Sequence, residues 1–318
     1  MAPPGDGVLR SVLTVSTSSP KPTVLVIVGP TACGKTALAL ALAARCPIEV
    51  VSADSRTVYR WMDIGTAKPT RAERARVPHH LLDVVDPDEL YSLAQYQMAA
   101  LAASARIFDR GRLPVLVGGA GLYVSAVCDG LRLPDVAPDL QFRAALEARA
   151  KSDGWPALQA ELARVDPESA ARIEPRNVRR VIRALEVHHA TGVRFSDFQQ
   201  RSEPPFRPVF IGLDVDRQEL YRRIDARIDS WLANGLVDEV HSLLQRGYME
   251  TLPSMSSIGY REVARLLRGE LARDEAAAQM KRSTHQYARR QLTWFRRDQR
   301  IQWLSQPTPD DVLPLLDG

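Results

Sequence analysis

The segment Gly29-Pro-Thr-Ala-Cys-Gly-Lys-Thr36 lies between a β-branched run at 24–28 and an apolar, helix-forming stretch at 36–44. It limits the possible folds more than any other feature. A strand, a tight glycine loop and a helix in that order aim backbone N–H groups and a helix N-terminus at a phosphate. Lys35 then reaches the outer phosphate oxygens, and the Thr36 hydroxyl is placed to ligate Mg2+. Gly29, Pro30, Thr31, Ala32, Cys33, Gly34, Lys35 and Thr36 are therefore expected to bind a diphosphate or a nucleotide. Further strands are predicted at 48–52, 114–117 and 209–215, with a helix over 93–110. Strands alternating with helices predict an α/β core, a P-loop NTPase-like parallel sheet with flanking helices. From Pro138 the pattern changes to helices alone, at 140–150, 155–165 and 177–190, which predicts an inserted all-helical lobe. After the last strand, helices are expected to run to about Trp303, giving a helical C-terminal segment. The expected organisation is a core of 23–137 and 206–318, a lobe of 138–205, and a Pro/Ser/Thr/Gly-rich disordered leader over 1–22.

Composition narrows the function. Hydrophobic residues make up 45% of the 318 and charged residues 25%, which suits a globular core and excludes a disordered or fibrous chain. The three cysteines, Cys33, Cys46 and Cys128, are too scattered for a disulfide framework or a Cys-rich zinc module, so a reducing, cytoplasmic setting is expected. No apolar run approaches the roughly 18 residues that span a bilayer. The net charge of +4 is unevenly placed: residues 281–300 carry seven basic side chains against Asp298, a local +6 that leaves −2 for the rest. Concentrated positive charge favours a polyanionic partner. Arg176, Arg179, Arg180 and Arg183 repeat at helical spacing opposite Val178, Val181, Ile182 and Leu185, so one face packs while the other meets phosphate or solvent.

In open parallel sheets ligands bind beyond the carboxyl ends of the strands, where Asp54 and Gly118-Gly119 should emerge. Asp54 is a candidate general base; a buried cap or a residue behind a magnesium ion are the alternatives. Glycines at the end of the third strand stand where nucleotide hydrolases place an acidic magnesium ligand, which argues against an ATPase. Cys33 lies near a helix N-terminus and Lys35, both of which favour a thiolate, but a small loop filler is the preferred reading. His79-His80 has no Cys or acidic residue at metal spacing and reads as structural.

Several longer segments resemble the bacterial tRNA dimethylallyltransferases: the phosphate loop, Asp54-Ser-Arg-Thr-Val-Tyr59, Asp63-Ile-Gly-Thr-Ala-Lys-Pro69, Pro78-His-His-Leu-Leu-Asp83, Gly118-Gly-Ala-Gly-Leu-Tyr123, Arg183-Ala-Leu-Glu186, Ile258-Gly-Tyr-Arg261 and Arg289-Arg-Gln-Leu-Thr-Trp-Phe-Arg296. The resemblance covers about residues 24 to 304. It implies transfer of a dimethylallyl group from dimethylallyl diphosphate to N6 of the adenosine just 3′ of the anticodon, with Mg2+ as cofactor and tRNA as partner. The phosphate loop would then hold the diphosphate leaving group, so an ATP-binding label drawn from the motif alone would mislead. An exocyclic adenine amine is a weak nucleophile, and Asp54 matches the family's general base. By the same resemblance Lys35, Thr36 and Arg223 join Asp54 in catalysis. Contacts to tRNA are implied for Asp54, Ser55, Arg56, Thr57, Ala120, Arg143, Arg179, Arg180, Arg183, Ser256, Gly259, Tyr260, Arg261, Arg289, Arg290, Gln291, Thr293, Trp294 and Arg296. Trp294 or Phe295 would stack on an unpaired base or else belong to the core.

The chain departs from the family at Thr57, commonly Gln, and at Ala120, commonly Thr or Ser. With no Cys after Cys128, the zinc finger that eukaryotic relatives append is not expected in these residues. A monomer is expected. Three rival readings remain: a small-molecule P-loop kinase, which leaves the basic C-terminal segment idle; a non-catalytic RNA-binding protein, which leaves Asp54 and a complete loop unexplained; and an adenylate isopentenyltransferase, which leaves the basic surfaces without a use.

Overall fold

The computed structural model describes residues 21–199 and 201–316, so residues 1–20 of the expected leader lie outside the described part. Among the described residues there are six strands: β1 (Thr23–Val28), β2 (Ile48–Ala53), β3 (His79–His80), β4 (Leu113–Gly118), β5 (Arg207–Asp214) and β6 (Gln302–Ser305). They form one sheet in the order β3-β2-β4-β1-β5-β6. Every pairing is parallel, with Val26 opposite Leu116 on one side and Phe210 on the other. β1 is central and fully covered, which is why TVLVIV reads as a continuous apolar run and does not alternate.

The helices, in chain order, are α1 (Lys35–Ala43), α2 (Arg71–Arg76), α3 (Leu93–Asp109), α4 (Gly121–Cys128), α5 (Leu140–Ser152), α6 (Trp155–Val165), α7 (Pro167–Arg172), α8 (Val178–Thr191), α9 (Arg217–Ala233), α10 (Leu236–Gln245), α11 (Tyr260–Leu267), α12 (Arg273–Phe295) and α13 (Pro309–Val312). Among the described residues no helix is long and apolar enough to cross a membrane.

Two expectations are corrected. Helices do not run unbroken to Trp303, because Gln302–Ser305 adds a strand beside β5, with Trp303 opposite Gly212. A short strand also forms at His79–His80, where Val50 and Val51 pair with the two histidines. Four and two residues are too short, and too polar at 79–80, to show a period.

The chain divides into two compact units, one of residues up to Tyr91, Met98–Val124 and Pro204 onward, the other of Ser92–Gln97 and Ser125–Glu203. In the first, β1, α1 and β5 pack with α9 to α12 around Leu25, Ile27, Ile211, Ile224 and Tyr260. The second has its own core of Leu146, Leu158, Leu162, Val181, Ile182 and Leu185. Side-chain caps start three of its helices: Asp139 accepts the Phe142 N–H at 2.9 Å, Asp166 the Ser169 N–H at 3.0 Å and Asn177 the Arg180 N–H at 3.3 Å. In α8 the apolar face packs as the spacing predicts, while Arg179 and Arg180 stay exposed.

Candidate active site

The phosphate loop turns sharply through Gly29 at φ 145°, Ala32 at 65° and Gly34 at 106°. A Cβ on Gly29 would lie 2.9 Å from Cys33 Sγ, so only glycine lets the loop fold back on itself. Lys35 Nζ rests on the Gly29 and Pro30 carbonyls at 2.9 and 2.7 Å and lies 3.8 Å from Cys33 Sγ. Cys33 is buried, in keeping with a loop filler.

A cavity of about 320 Å3 opens beside this loop. Its wall includes Thr31, Lys35, Thr36, Asp54, Arg227 and Tyr287. A second cavity, of about 310 Å3, is lined by Asp54, Ser55, Arg56, Ser256, Tyr287 and Arg290. Asp54 and Tyr287 belong to both walls. Asp54 follows β2, and its Oδ1 accepts the Arg56 N–H at 2.8 Å, which fixes the carboxylate and leaves its other oxygen available. Burial, with the negative charge of Asp54 adding to it, pushes the Tyr287 phenol above its usual range, so it stays neutral and able to donate a proton in a hydrogen bond. Thr57 is buried and shares a 3.0 Å hydrogen bond with Ser52, so its hydroxyl is engaged with β2. Ala120 donates its N–H to Ala53 at 3.2 Å just before α4.

Arg223 pairs with Glu219 at 2.6 Å and is absent from both walls. One turn further on, Arg227 lines the phosphate-loop cavity and donates to Thr31 Oγ1 at 3.4 Å. Among the described residues no carboxylate lies within ion-pair distance of it, and burial lowers its pKa. A sheltered guanidinium with no anion of its own suits an anionic ligand. The available signal was its place seven residues after Leu220, close to the buried stripe Leu220, Ile224, Ile228 and Leu232.

The residues expected at RNA sort into three groups. Gln291 and Tyr260 are inside: Gln291 ties the Thr31 N–H to the Gly119 carbonyl, each at 2.9 Å, and Tyr260 donates to Glu239 at 2.6 Å. Gly259, at φ 97°, is also buried, and its N–H is bonded by Glu262. Arg143 and Arg183 both bind Glu186, a carboxylate only 1% exposed, which also accepts the Asp139 N–H. The exposed set is Arg179, Arg180, Ser256, Arg261, Arg289, Arg290, Thr293, Trp294 and Arg296. On α12 and the turn after it, Arg289, Arg290, Thr293, Trp294 and Arg297 line a shallow depression of about 440 Å3 that holds no acidic side chain. Trp294 is 45% exposed while Phe295 is in the core. Part of the basic C-terminal charge is neutralised locally, by Lys281 to Asp229 and Arg300 to Asp298.

The sequence model of the family described as IPP transferase matches residues 57–298, and that described as isopentenyl transferase matches 22–83. The chain belongs to the IPP transferase family. It is 57% identical over 286 residues to a tRNA dimethylallyltransferase of Roseiflexus castenholzii, covering 90% of this chain and 94% of that one. Among solved structures, a tRNA isopentenylpyrophosphate transferase from Bacillus halodurans is similar at 45% identity and TM-score 0.66, over 90% of each chain. A eukaryotic dimethylallyltransferase acting on tRNA is similar at 28% identity and TM-score 0.75, over 89% of this chain and 74% of that one. For this IPP transferase family member the likeness extends through both compact units, since the family match runs without a break from 57 to 298.

Residues for a metal fit only in part. Among the described residues no group of three or more His, Cys, Asp or Glu could hold an ion by itself. Thr36 does offer a hydroxyl to the cavity that Asp54 also lines. That donor set suits Mg2+ arriving with a diphosphate, which needs few protein oxygens.

Proposed function

We propose that the protein transfers a dimethylallyl group from dimethylallyl diphosphate to N6 of the adenosine 3′-adjacent to the anticodon in tRNA, releasing diphosphate. The observation that carries this reading is that Asp54 lines both cavities. One of them bears Lys35, Arg227 and the phosphate loop; the other opens among Arg56, Ser256 and Arg290.

In the first cavity the loop N–H groups, Lys35 and Arg227 hold the diphosphate and stabilise the charge that develops as the donor's C1–O bond breaks. Thr36 would hold Mg2+ together with the diphosphate, and the ion would supply further neutralisation of that charge. In the second cavity the unstacked adenine presents N6 to Asp54. The N6–C1 bond forms, the C1–O electron pair leaves with the diphosphate, and the N6 proton passes to the Asp54 carboxylate. The base must leave its stack to reach so enclosed a site, which favours an unpaired loop over a duplex. Exposed arginines on α8 and the acid-free depression on α12 are the surfaces that would meet phosphates.

The test is one incubation of protein, Mg2+ and labelled dimethylallyl diphosphate with unmodified tRNA or AMP, and a parallel one with ATP and small alcohols. Label should enter tRNA alone. ATP consumption with an alcohol would support a kinase instead, and label on AMP an adenylate transferase. Asp54→Asn should keep donor and RNA binding but lower kcat by roughly 10²- to 10⁴-fold. Recovery of that variant at high Mg2+ would reassign Asp54 to the metal.

A further inference from the structure

Trp61 holds a left-handed backbone, φ 66°, and leaves 47% of its surface exposed. That conformation is strained for so bulky a side chain, and such strain persists where the surroundings fix it, commonly at binding sites. The surroundings here are specific. Arg246 stacks on the ring with Cζ 4.3 Å from its centroid, and the Tyr248 phenol meets the indole N–H. The indole is thereby locked as a platform before any ligand arrives.

Trp61 lines a cavity of about 600 Å3 whose wall does not include Arg246. Trp231, Arg60, Lys68, Arg71 and Arg74 share that wall. Its two acidic residues are already engaged: Lys68 binds Asp63 at 2.8 Å and Asp83 at 2.6 Å, and Arg74 binds Asp83 at 2.8 Å. Arg60 pairs with Asp86 at 3.0 Å. Arg71 is exposed and has no ion pair among the described residues. An anchored aromatic face beside an uncommitted guanidinium suits a planar base carrying a phosphate.

Position selects which base. The cavity shares Ala67 and Pro69 with the phosphate-loop cavity, and Ala67 and Trp231 with the outer one. A chain whose target adenine enters beside Asp54 can therefore lay a neighbouring residue here. The prenyl donor does not fit the role, since its tail has no planar ring and its charge is held by the phosphate loop.

We propose that this cavity binds an unpaired nucleotide of the RNA substrate, a loop neighbour of the target adenosine, with its base stacked on Trp61 and its phosphate toward Arg71. The proposal rests on the tRNA reading above. Glycine accepts φ 66° without strain, so Trp61→Gly removes the platform while leaving the loop's backbone at ease. On an anticodon stem-loop substrate it should raise the RNA KM by about tenfold to hundredfold, with donor KM and kcat within about twofold of the parent. Trp61→Phe should restore most of the loss. Arg71→Gln should raise the same KM and flatten the salt dependence by about 0.7 of a slope unit.

Abasic substitution at each loop position then identifies the base. One position should cost the parent the same factor and cost Trp61→Gly nothing further. An RNA KM unchanged in both Trp61→Gly and Arg71→Gln, or a Trp61→Gly loss that adds fully to every abasic substitution, overturns the stacking site while leaving the transferase reading intact. No label transfer by the parent protein would instead remove the tRNA reading itself.

Discussion

The side-chain carbonyl of Gln291 accepts the backbone N–H of Thr31 at 2.9 Å across 260 positions of sequence. One helix therefore carries both the fastening of the phosphate loop and, on its outer face, the basic depression around Trp294. Gly119 completes the tie, and a Cβ there would fall 2.1 Å from Gln291 Nε2. Gln291→Ala should leave the Thr31 N–H and the Gly119 carbonyl unmatched and cost about 1 to 3 kcal/mol in stability. Donor KM should rise while RNA KM, set on the opposite face, holds. Thermal melts and steady-state kinetics with each substrate varied in turn check this; a higher RNA KM at constant donor KM would reverse the assignment.

Arg227 and Arg223 lie one turn apart on α9 and should behave differently. Arg227→Gln removes an uncommitted cation from the phosphate-loop cavity, and a charge-assisted contact of about 1.5 to 3 kcal/mol corresponds to roughly 10- to 100-fold in donor kcat/KM. Arg223→Gln breaks an ion pair with Glu219 on a partly exposed surface, where such pairs contribute about 1 kcal/mol or less. Pyrophosphate inhibition constants measured on both variants separate the two, because only Arg227→Gln should weaken the inhibitor.

At the C-terminal end of α12 and just beyond it, changing Arg289, Arg290 and Arg297 together to Gln should flatten the salt dependence of tRNA binding by about 0.7 to 0.9 for each phosphate left without its arginine. Donor affinity should stay. Titration of binding against salt concentration is the measurement, and an unchanged slope would make this depression an ordinary solvated face.

Arg143 and Arg183 should instead reveal themselves through stability and pH. Burial pushes the Glu186 carboxyl up, but hydrogen bonds from Arg143, Arg183 and the Asp139 N–H together outweigh it and hold the pKa below the usual carboxylate range. A depressed folded pKa means that the unfolded chain binds more protons. The stabilisation is therefore complete above the ordinary glutamate pKa, about 4.3, and is lost as pH falls through the lower folded value. Glu49, held low by the hydrogen bond from Arg110, acts with the same sign. Melting temperature should fall steeply below about pH 4, and Arg143→Gln should lower the melt at neutral pH and make that acid slope shallower. An Arg143→Gln variant that melts like the parent at every pH would free this arginine for RNA alone.

Local chemistry made part of this legible. The loop between β1 and α1 needed glycines and a lysine at fixed offsets, and Asp54 followed from the end of β2. What stayed hidden depended on contacts between distant residues. The segment around Arg289–Arg296 reads as one RNA-facing motif, yet Ala276, Met280, Thr284, Ala288, Gln291 and Phe295 form the buried stripe of α12. Helical spacing therefore separates Gln291 from its arginine neighbours once the helix's inner face is known. Glu186 draws in Arg143 from 43 positions away, a pairing that no local period reports. β3 and β6 needed their partner strands to exist at all.

The central place of β1 has a consequence for synthesis. Its sheet neighbour β5 lies about 180 residues downstream, beyond the whole helical unit. At typical translation rates of about 5 to 20 residues per second, β5 follows β1 from the ribosome after roughly 10 to 40 s. For that interval the most apolar strand of the protein is a bare edge, the kind of surface that pairs with the wrong chain. Residues 125–203 of the helical unit supply under half of that separation, so a variant with them moved after β6 would shorten the exposure of this edge without abolishing it.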